Sequence, residues 1–460
     1  MVEGRTHRPV IQPEQCHSCN VCIRGCPAEL IPEYRAEDKS LRGSLYGKKR
    51  LPLTAEGKVP LPPCQEACPI RQDTRGYTNL IARGKFKEAL ELIREVNPLP
   101  AVCGFICHHL CEEACLRTDV DQPVSLRLLK RFVAEYEKGR EKSKRAVRKS
   151  RRGNILVVGS GPAGLAAAND LRLLGYGVTL FEALPVLGGM LAVGIPEFRL
   201  PRDIVQMEVD GIRELGVAMH SNRRFSFDRG ETSFRKMGFQ AIFLATGTHQ
   251  GLRLGIPGAS LKGILSGVAF LRDVNLGNPV KVGKKVVVIG GGNVALDVAR
   301  SAIRLGADKV EIYYRRTKKE MPAIPEEIEE TLQEGIKIHL LASPIRFVGE
   351  GERATGIVLA RMRLTEADET GRPTPVRIEG SEFNVRADTI ISAVGQKVDP
   401  RGLKGLAANR DGTIRVEPET GETSVRGVFA GGDMVTGPGW AIDAIASGKK
   451  AAESIHRYLW

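Results

Sequence analysis

The chain has 460 residues, and at roughly 100–200 residues per domain this length predicts two to four domains. Hydrophobic residues make up 42% of the chain and charged residues 27%, a composition that is typical of globular proteins and excludes a largely disordered chain. The formal net charge is +14, but the sequence contains only 2 Trp and no recognisable nucleic-acid-binding module. We therefore predict that the protein has no nucleic-acid partner.

The sequence shows neither a membrane span nor a secretion signal. No uncharged apolar run reaches the roughly 18 residues that cross a bilayer, and the first residues, MVEGRTHRPV, contain no hydrophobic segment. We therefore expect a cytoplasmic protein. Because a reducing cytosol disfavours structural disulfides, the 10 cysteines, which all precede residue 116, predict metal binding or redox chemistry.

The first four cysteines form a compact run that a proline follows. The run is Cys16-x2-Cys19-x2-Cys22-x3-Cys26. This spacing is typical of ferredoxin-type four-iron clusters, in which the fourth cysteine commonly binds a second cluster. Zinc is the alternative, but zinc sites usually pair two Cys-x2-Cys motifs across a spacer. The spacing therefore favours a 4Fe-4S cluster.

The remaining cysteines form a second group further along the chain. They are Cys64, Cys68, Cys103, Cys107, Cys111 and Cys115. The last four recur at intervals of four, which places them on one side of a helix or on successive turns of an irregular coil. The 10 thiolates can supply two four-iron clusters, or three if other ligands join, and we predict two. The intervening His108 and His109 are expected to pack rather than to bind metal.

Residues 1–136 are thus predicted to form a cysteine-rich iron-sulfur domain with helical structure. Apolar residues at helical spacing predict one helix over residues 76–96 and a second over residues 125–138. Residues 137–152 carry a large excess of Lys and Arg, which predicts a solvated basic linker. The alternative for this segment is a docking site for an acidic partner protein.

At Asn154 the composition changes to apolar stretches separated by glycines. Residues 154–182 predict a strand, a tight glycine turn, a helix and a second strand, which together form a right-handed βαβ unit. Backbone amides in such a turn bind the pyrophosphate of a dinucleotide. Glu182 ends the second strand, where a carboxylate can accept the ribose hydroxyls. The turn residues are Gly159, Gly161, Pro162, Ala163 and Gly164.

The βαβ pattern recurs at residues 284–315. Its turn comprises Gly290, Gly292, Asn293 and Val294, in the sequence GGGNVA. Here the second strand runs into Arg315 and Arg316 instead of a carboxylate, and a cationic fork at this place suits the 2′-phosphate of NADPH. A solvated charge cluster is the alternative interpretation. The two copies predict two Rossmann-like dinucleotide-binding domains, the second favouring NADPH over NADH.

From about Cys64 to the carboxyl end, the chain resembles the small-subunit (beta-subunit) family of NADPH-dependent glutamate synthase. The stretches that carry the resemblance are CQEACP, GSGPAG, LGGML, GIPEFRLP, ATGT, GGGNVALD, YRRTKKEMPA and AGGDMVTGP. Relatives of that family include the amino-terminal half of dihydropyrimidine dehydrogenase and the large subunit of a bifurcating transhydrogenase. The resemblance implies an α/β fold in which the helical iron-sulfur domain precedes the two Rossmann-like domains.

The resemblance further implies that the NAD(P)H domain is inserted in the FAD domain. The expected ranges are 153–249 for the first part of the FAD domain, 250–396 for the NAD(P)H domain and 397–460 for the second part of the FAD domain. Further flavin-binding residues are implied by the matching motifs: Gly188, Gly189, Met190, Thr246, Gly247, Gly432, Asp433, Ala441 and Ile442. The chain departs from the family in one respect. No Cys-x2-Cys pair stands just upstream of Cys64, so the assignment of cysteines to clusters stays open.

The sequence therefore predicts an oxidoreductase with FAD, NADPH or NADH, and two 4Fe-4S clusters. Hydride transfer from a nicotinamide to a flavin needs no protein acid or base, so we assign no catalytic side chain. The expected partner is a redox subunit or a ferredoxin in a hetero-oligomer. The alternatives are the small subunit of glutamate synthase itself and a non-catalytic iron-sulfur and flavin scaffold. A disulfide reductase is excluded because no cysteine follows Cys115.

Overall fold

The computed structural model describes residues 61–119, 121–140, 145–149, 153–367 and 371–460. The chain divides into two compact units, Met1–Lys144 and Arg145–Trp460, which we call the amino-terminal and carboxyl-terminal units. The described part of the amino-terminal unit is helical, whereas the carboxyl-terminal unit alternates strands and helices. Among the helices in these ranges, none combines the length and the apolar composition that crossing a membrane requires.

The amino-terminal unit contains short helices packed around a small apolar core. In chain order they are α1 (Pro63–Glu66), α2 (Thr74–Ala82), α3 (Phe86–Arg94), α4 (Pro100–Ile106), α5 (Leu110–Glu113) and α6 (Leu126–Tyr136). The single helix predicted over residues 76–96 is wrong. Gly84 has a φ of +71° and ends α2, because a left-handed glycine after the last turn terminates a helix. Tyr77 and Ile93 from either side of this break are both fully buried.

The carboxyl-terminal unit is built on two parallel sheets. The first has the strand order β16-β4-β1-β2-β3. Its strands are β1 (Asn154–Val158), β2 (Gly177–Phe181), β3 (Ala218–His220), β4 (Ala241–Leu244) and β16 (Val428–Ala430). The second has the order β6-β14-β7-β8-β9. Its strands are β6 (Ile264–Ser266), β7 (Lys285–Ile289), β8 (Lys309–Tyr313), β9 (Lys337–His339) and β14 (Thr389–Ser392).

Further strands connect or extend these sheets. They are β5 (Gln250–Gly251), β10 (Ala342–Glu350), β11 (Arg353–Ala367), β12 (Pro373–Arg377), β13 (Phe383–Arg386) and β15 (Gln396–Lys397). The central strands β1 and β7 are buried on nearly their whole length, as expected for parallel strands that helices cover on both faces.

The helices of this unit connect the strands. They are α7 (Pro162–Leu173), α8 (Met190–Val193), α9 (Arg202–Arg213), α10 (Thr232–Arg235), α11 (Gly267–Asn275), α12 (Asn293–Arg304), α13 (Pro325–Gln333), α14 (Asp433–Thr436) and α15 (Ala441–Tyr458). The predicted helices that open after the two glycine turns are α7 and α12. The long helix α15 packs against α7, so the carboxyl end of the chain supports the first glycine turn.

The strand order shows an insertion. The chain leaves the first sheet after β4, builds the second sheet, and returns to the first sheet at β16. Strands β5 and β15 pair antiparallel where it leaves and returns, with Gln396 opposite Gly251. This topology confirms the predicted fold class, a helical domain followed by two Rossmann-like domains of which the second is inserted in the first. We propose the boundaries 249/250 and 396/397 beside this pair of strands.

The basic segment 137–152 is not solvated throughout. The guanidinium of Arg145 donates to Asn169 Oδ1 at 2.7 Å and to the carbonyl of Gly211 at 2.7 Å. The backbone N–H of Arg148 donates to the carbonyl of Leu173. The side chain of Arg145 and the backbone of Arg148 therefore contact the rest of the carboxyl-terminal unit, whereas Ala146, Arg148 and Lys149 are exposed.

A buried ion-pair network joins the GIPEFRLP segment to the second glycine-turn helix. Arg199 Nη1 lies 2.6 Å from Asp297 Oδ2, and Arg199 Nε lies 2.8 Å from Glu327 Oε1. The side chains of Arg199 and Asp297 are only 8% and 4% exposed. Arg300 completes the network with a 2.7 Å contact to Glu327. Because buried carboxylates need a counter-charge, Arg199 neutralises Asp297 and Glu327 at the place where the domains of the two sheets meet.

We predict that Arg199→Ala lowers the free energy of unfolding of the carboxyl-terminal unit by about 3–5 kcal/mol, the usual cost of leaving a buried charge uncompensated. Denaturant unfolding of the purified chain measures this loss. Arg213→Ala is the matched control, since Arg213 pairs with Asp210 on the exposed face of α9 and should cost at most about 1 kcal/mol. Equal losses for the two variants would contradict a stabilising role of the network.

Candidate functional site

The first glycine turn lies between β1 and α7. A Cβ on Gly159 would lie 2.2 Å from the carbonyl oxygen of Ala245, and one on Gly164 would lie 1.9 Å from the carbonyl oxygen of Gly159. Both positions therefore require glycine for the packing of the protein itself. A Cβ on Gly161 would meet no atom within 4 Å. The open space at Gly161 lies at the amino end of α7, where Pro162 and Ala163 begin the helix, and such a helix end favours an anion.

Glu182 follows β2 directly and is held in place by the glycine turn. Its Oε2 accepts hydrogen bonds from the backbone N–H of Ser160 at 2.9 Å and from Ser160 Oγ at 2.6 Å. Its Oε1 accepts one hydrogen bond, from the N–H of Leu184. A carboxylate has about four acceptor positions, so this arrangement leaves room for one hydroxyl rather than for both hydroxyls of a ribose.

The LGGM turn lies against the first glycine turn. Gly188 and Gly189 have φ values of +111° and +54°, and Met190 begins α8. A Cβ on Gly189 would lie 2.8 Å from Gly161 Cα, and the N–H of Gly188 donates to Ser160 Oγ. The two glycine segments, which α7 and β2 separate in the sequence, thus lie backbone to backbone. The first glycine turn and the LGGM turn therefore lie side by side.

The remaining predicted flavin residues also lie at the carboxyl ends of strands in this sheet. Thr246 and Gly247 follow β4, and the N–H and hydroxyl of Thr246 point at Met434 Sδ. Gly432, with a φ of +67°, and Asp433 follow β16. A Cβ on Gly432 would lie 3.1 Å from Ala163 Cβ, so this segment packs on the start of α7. Ligands of doubly wound sheets bind at this edge.

Asp433 is a half-buried carboxyl group at the amino end of α14. Burial raises its pKa to about 6, although the N–H of Gly439 and the hydroxyl of Thr248 donate weakly to it. The helix α15 begins nearby at Ala441 and Ile442, with the backbone N–H groups of its first turn unsatisfied by a side-chain cap. These donors and the carboxyl group of Asp433 suit the carbonyl and hydroxyl groups of a flavin.

The second glycine turn repeats the design of the first. Gly290 has a φ of +143°, and a Cβ there would lie 2.4 Å from the carbonyl oxygen of Ala393. Gly292 precedes α12, which begins at Asn293 and Val294. Asn293 Oδ1 accepts a hydrogen bond from the N–H of Ile324, so this side chain anchors the loop before α13.

The two arginines after β8 lie in different environments. Arg315 is exposed, whereas Arg316 is buried and its Nε donates to the carbonyl of Pro373 at 2.8 Å. The sequence pattern did not identify Arg372, whose Nη2 donates to Tyr314 Oη and to the carbonyl of Glu320. Arg372 comes from the antiparallel strands that follow β9, and no local pattern could place it here. Arg315 is thus the arginine of the predicted fork that faces solvent.

The cysteines Cys16, Cys19, Cys22 and Cys26 lie outside the described residues. The other six are free thiols carried by three helices and the turns after them. Cys64 lies in α1 and Cys68 just after it, Cys103 lies in α4 and Cys107 ends it, and Cys111 lies in α5 with Cys115 just beyond. Helices α1 and α5 pack together, which brings early and late cysteines into one place.

The electrostatic interactions of the thiols sort them into two groups. Cys64 interacts with Cys115, and burial together with this repulsion raises the pKa of Cys64. Cys111 interacts with Cys107 and Cys68, and burial raises its pKa to about 12. The sulfur of Cys103 lies 3.8 Å from Asn97 Oδ1 and is also an electrostatic partner of Lys130. Cys68 and Cys111 are buried, and Cys64, Cys107 and Cys115 are half-buried. Neighbouring thiols in such surroundings are stabilised as thiolates by the iron of a bound cluster, so this donor set fits iron-sulfur chemistry.

Within the described ranges, no three Cys, His, Asp or Glu side chains converge on a point that could hold a single metal ion. A zinc site needs such a point. A four-iron cluster does not, because each thiolate binds a different iron atom. The zinc alternative concerns Cys16, Cys19, Cys22 and Cys26, which lie outside the described residues.

Two known protein families match the chain. The pyridine nucleotide-disulphide oxidoreductase family matches residues 153–448, more than half of the chain. The chain belongs to this family. The dihydropyrimidine dehydrogenase domain II, 4Fe-4S cluster, matches residues 58–142. The two matches confirm three cofactor classes for this chain: FAD, NAD(P)H and a 4Fe-4S cluster. All 10 cysteines precede the first match, so disulfide chemistry has no cysteine pair there.

Curated relatives agree with this family. The chain is 42% identical over 425 residues to the NADP(+)-dependent formate dehydrogenase subunit beta of Moorella thermoacetica, covering 86% of this chain and 60% of that subunit. It is 35% identical over 421 residues to the glutamate synthase [NADPH] small chain of Azospirillum brasilense, covering 86% of both chains. The predicted resemblance to the glutamate synthase small chain is confirmed. The chain spans less than two thirds of the length of the formate dehydrogenase subunit.

A solved structure shows the same fold. Mycobacterium tuberculosis FprA in complex with NADPH superposes with a TM-score of 0.58 at 21% identity, covering 67% of this chain and 85% of that one. At this identity the likeness concerns the fold alone.

We predict that Gly161→Ala weakens FAD binding by about 10–100-fold, because an added methyl in a filled site costs about 1–3 kcal/mol. The space into which the methyl projects is free of protein atoms, so the fold itself should be unchanged. Flavin content after purification and FAD titration of the stripped protein measure the effect. Gly255→Ala, at another glycine with open space, is the control. Full flavin retention by the Gly161 variant would place the pyrophosphate elsewhere.

Proposed function

We propose that this protein is an electron-transfer subunit that passes electrons between NAD(P)H, FAD and four-iron clusters, and exchanges them with a redox partner. The observation that carries this proposal is the coexistence in one chain of two glycine turns, each opening a helix at the edge of a parallel sheet, and a group of buried thiols. A bound FAD would supply the conversion between the two-electron chemistry of NAD(P)H and the one-electron chemistry of iron-sulfur clusters.

The chain's own groups would bind and orient the cofactors. Gly161, Gly189 and the amino end of α7 would hold the FAD pyrophosphate, and Glu182 would accept a ribose hydroxyl. The amino end of α15 would stabilise negative charge on the reduced flavin ring. In the second domain, Gly292 and α12 would hold the NAD(P)H pyrophosphate. None of these roles requires proton transfer by a side chain.

We further propose that the cysteines supply two clusters. Cys64 and Cys115 would bind one, and Cys68, Cys107 and Cys111 would bind the other, because these are the thiols whose charges interact. The Cys16–Cys26 run is the candidate source of the missing ligands. Cys103 would bind no iron, since its thiol faces Asn97.

Iron content tests this partition. Cys64→Ser and Cys111→Ser should each lose about four of the irons that the intact protein binds, since a cubane holds four. Cys103→Ser should keep all of them, because a serine hydroxyl can also donate to Asn97 Oδ1. Iron and acid-labile sulfide are measured after anaerobic purification. Loss of iron in the Cys103 variant would refute the partition.

The proposed nucleotide is NADPH, with Arg315 contacting its 2′-phosphate. Arg315 is the exposed member of the arginine pair, and the names of the relatives above contain NADP(+) and NADPH. A charge-assisted hydrogen bond is worth about 1.5–3 kcal/mol.

Arg315→Ala should therefore raise the KM for NADPH by about 10–100-fold and leave the KM for NADH unchanged. Steady-state reduction of a viologen dye measures both constants. Lys319→Ala removes an exposed cation from the same loop and should change neither value. An equal rise for the two nucleotides would show that Arg315 does not contact the 2′-phosphate.

The proposed assembly is a cytoplasmic hetero-oligomer in which a separate redox subunit or a ferredoxin exchanges electrons with the clusters. It is supported by the relatives' names, subunit beta and small chain. The free thiols of the six described cysteines agree with a reducing compartment. The 86% coverage of the Azospirillum small chain favours one alternative, the small subunit of glutamate synthase itself. Copurification with a glutamine-converting large subunit would decide for that alternative.

A further inference from the structure

One lysine lies in the interior of the amino-terminal unit. Lys130 is 4% exposed, and no other lysine of the described residues is buried. It belongs to the inward face of α6, where Leu126, Val133 and Ala134 are its buried neighbours. Placing an ammonium group in such surroundings costs several kcal/mol unless an opposite charge compensates it. The position of Lys130 therefore requires a negative partner.

The negative partners on offer are sulfur atoms. Helix α6 packs against α4 and α5, the helices that carry the later cysteines. Burial lowers the pKa of Lys130, but the sulfur atoms of Cys103, Cys107, Cys111 and Cys68, named from the strongest to the weakest, raise it overall when they are thiolates. Three of these four are the proposed ligands of one cluster. Lys130 thus faces the cluster site from the one helix of this group that supplies no cysteine.

We propose that Lys130 is the buried counter-charge of the cluster bound by Cys68, Cys107 and Cys111, and that its positive charge raises the reduction potential of that cluster. The inference rests on the proposed function, since it presumes a four-iron cluster at these thiols. Reduction adds one electron, and hence one negative charge, to the cluster. A fixed cation nearby stabilises this reduced form more than the oxidised form, and net charge is one of the factors that set such potentials.

The arrangement gives this residue a role in the order of electron flow. A cluster with a raised potential accepts electrons more readily than one without a buried cation. The half-buried Arg75 is the cation that interacts with Cys64 of the other group. The cation beside the Cys68 group, Lys130, is therefore more deeply buried than Arg75, the cation beside the Cys64 group. We expect the cluster at the Cys68 group to be reduced first.

The test is an anaerobic redox titration of the full chain, with dithionite as the electron donor and EPR as the readout. In Lys130→Met, which keeps the length of the side chain without its charge, the ratio of reduced to oxidised cluster at the wild-type midpoint should fall by about tenfold for one cluster. The flavin and the other cluster should keep their midpoints. Lys130→Arg, which restores the charge, and the exposed control Lys87→Met should resemble the wild type.

Each outcome is decisive. An unchanged midpoint in Lys130→Met with the iron content intact overturns the proposal, and so does an equal shift in Lys130→Arg, because packing rather than charge would then be responsible. If Lys130→Met loses the iron of this cluster while Lys130→Arg retains it, the counter-charge role is supported; loss in both variants refutes it. A wild-type chain without any EPR signal of a reduced cluster would instead refute the proposed function itself.

Discussion

Close contact between backbone segments is the constraint on which the carboxyl-terminal unit depends. Gly159 must lie against the carbonyl of Ala245, and Gly164 must lie against Gly159, so that α7 can start directly above the edge of the sheet. The same contact recurs between Gly290 and Ala393 in the inserted domain. A side chain at these positions would push the helix away from the strand. The direction of the helix end, and with it the anion site, follows from this packing.

A second constraint on the structure is that buried charges must be compensated. The carboxylate of Glu182 is held by three donors of its own chain, and the carboxylates of Asp297 and Glu327 are neutralised by Arg199 and Arg300. In the amino-terminal unit the balance differs, since Lys130 is the buried charged residue of its described part and its electrostatic partners are sulfur atoms. A four-iron cluster counted together with its thiolate ligands carries a net negative charge, and at that place it would complete the pairing. Charge balance thus links the stability of each unit to the site that it carries.

The sequence was most informative where chemistry demands a particular residue at a particular spacing. The two glycine turns, the helices that follow them and the position of Glu182 after its strand could all be predicted, because each depends on neighbours within about 30 residues, the length of a βαβ unit. The helix break at Gly84 was missed because the apolar spacing continues through it. The burial of Arg316 and the approach of Arg372 depend on the antiparallel strands inserted after β9. No local pattern reports such distant contacts, and the partners of Arg199 and Lys130 were hidden for the same reason.

The central claim is that one chain carries electrons between a nicotinamide nucleotide and iron-sulfur clusters through a flavin. The most direct measurement follows flavin absorbance and cluster EPR together while the anaerobic full chain is titrated with NADPH. The account predicts that the flavin bleaches and that the signal of a reduced four-iron cluster develops in the same titration. A flavin that stays oxidised, or clusters that dithionite reduces but NADPH leaves untouched after the flavin has bleached, would contradict it.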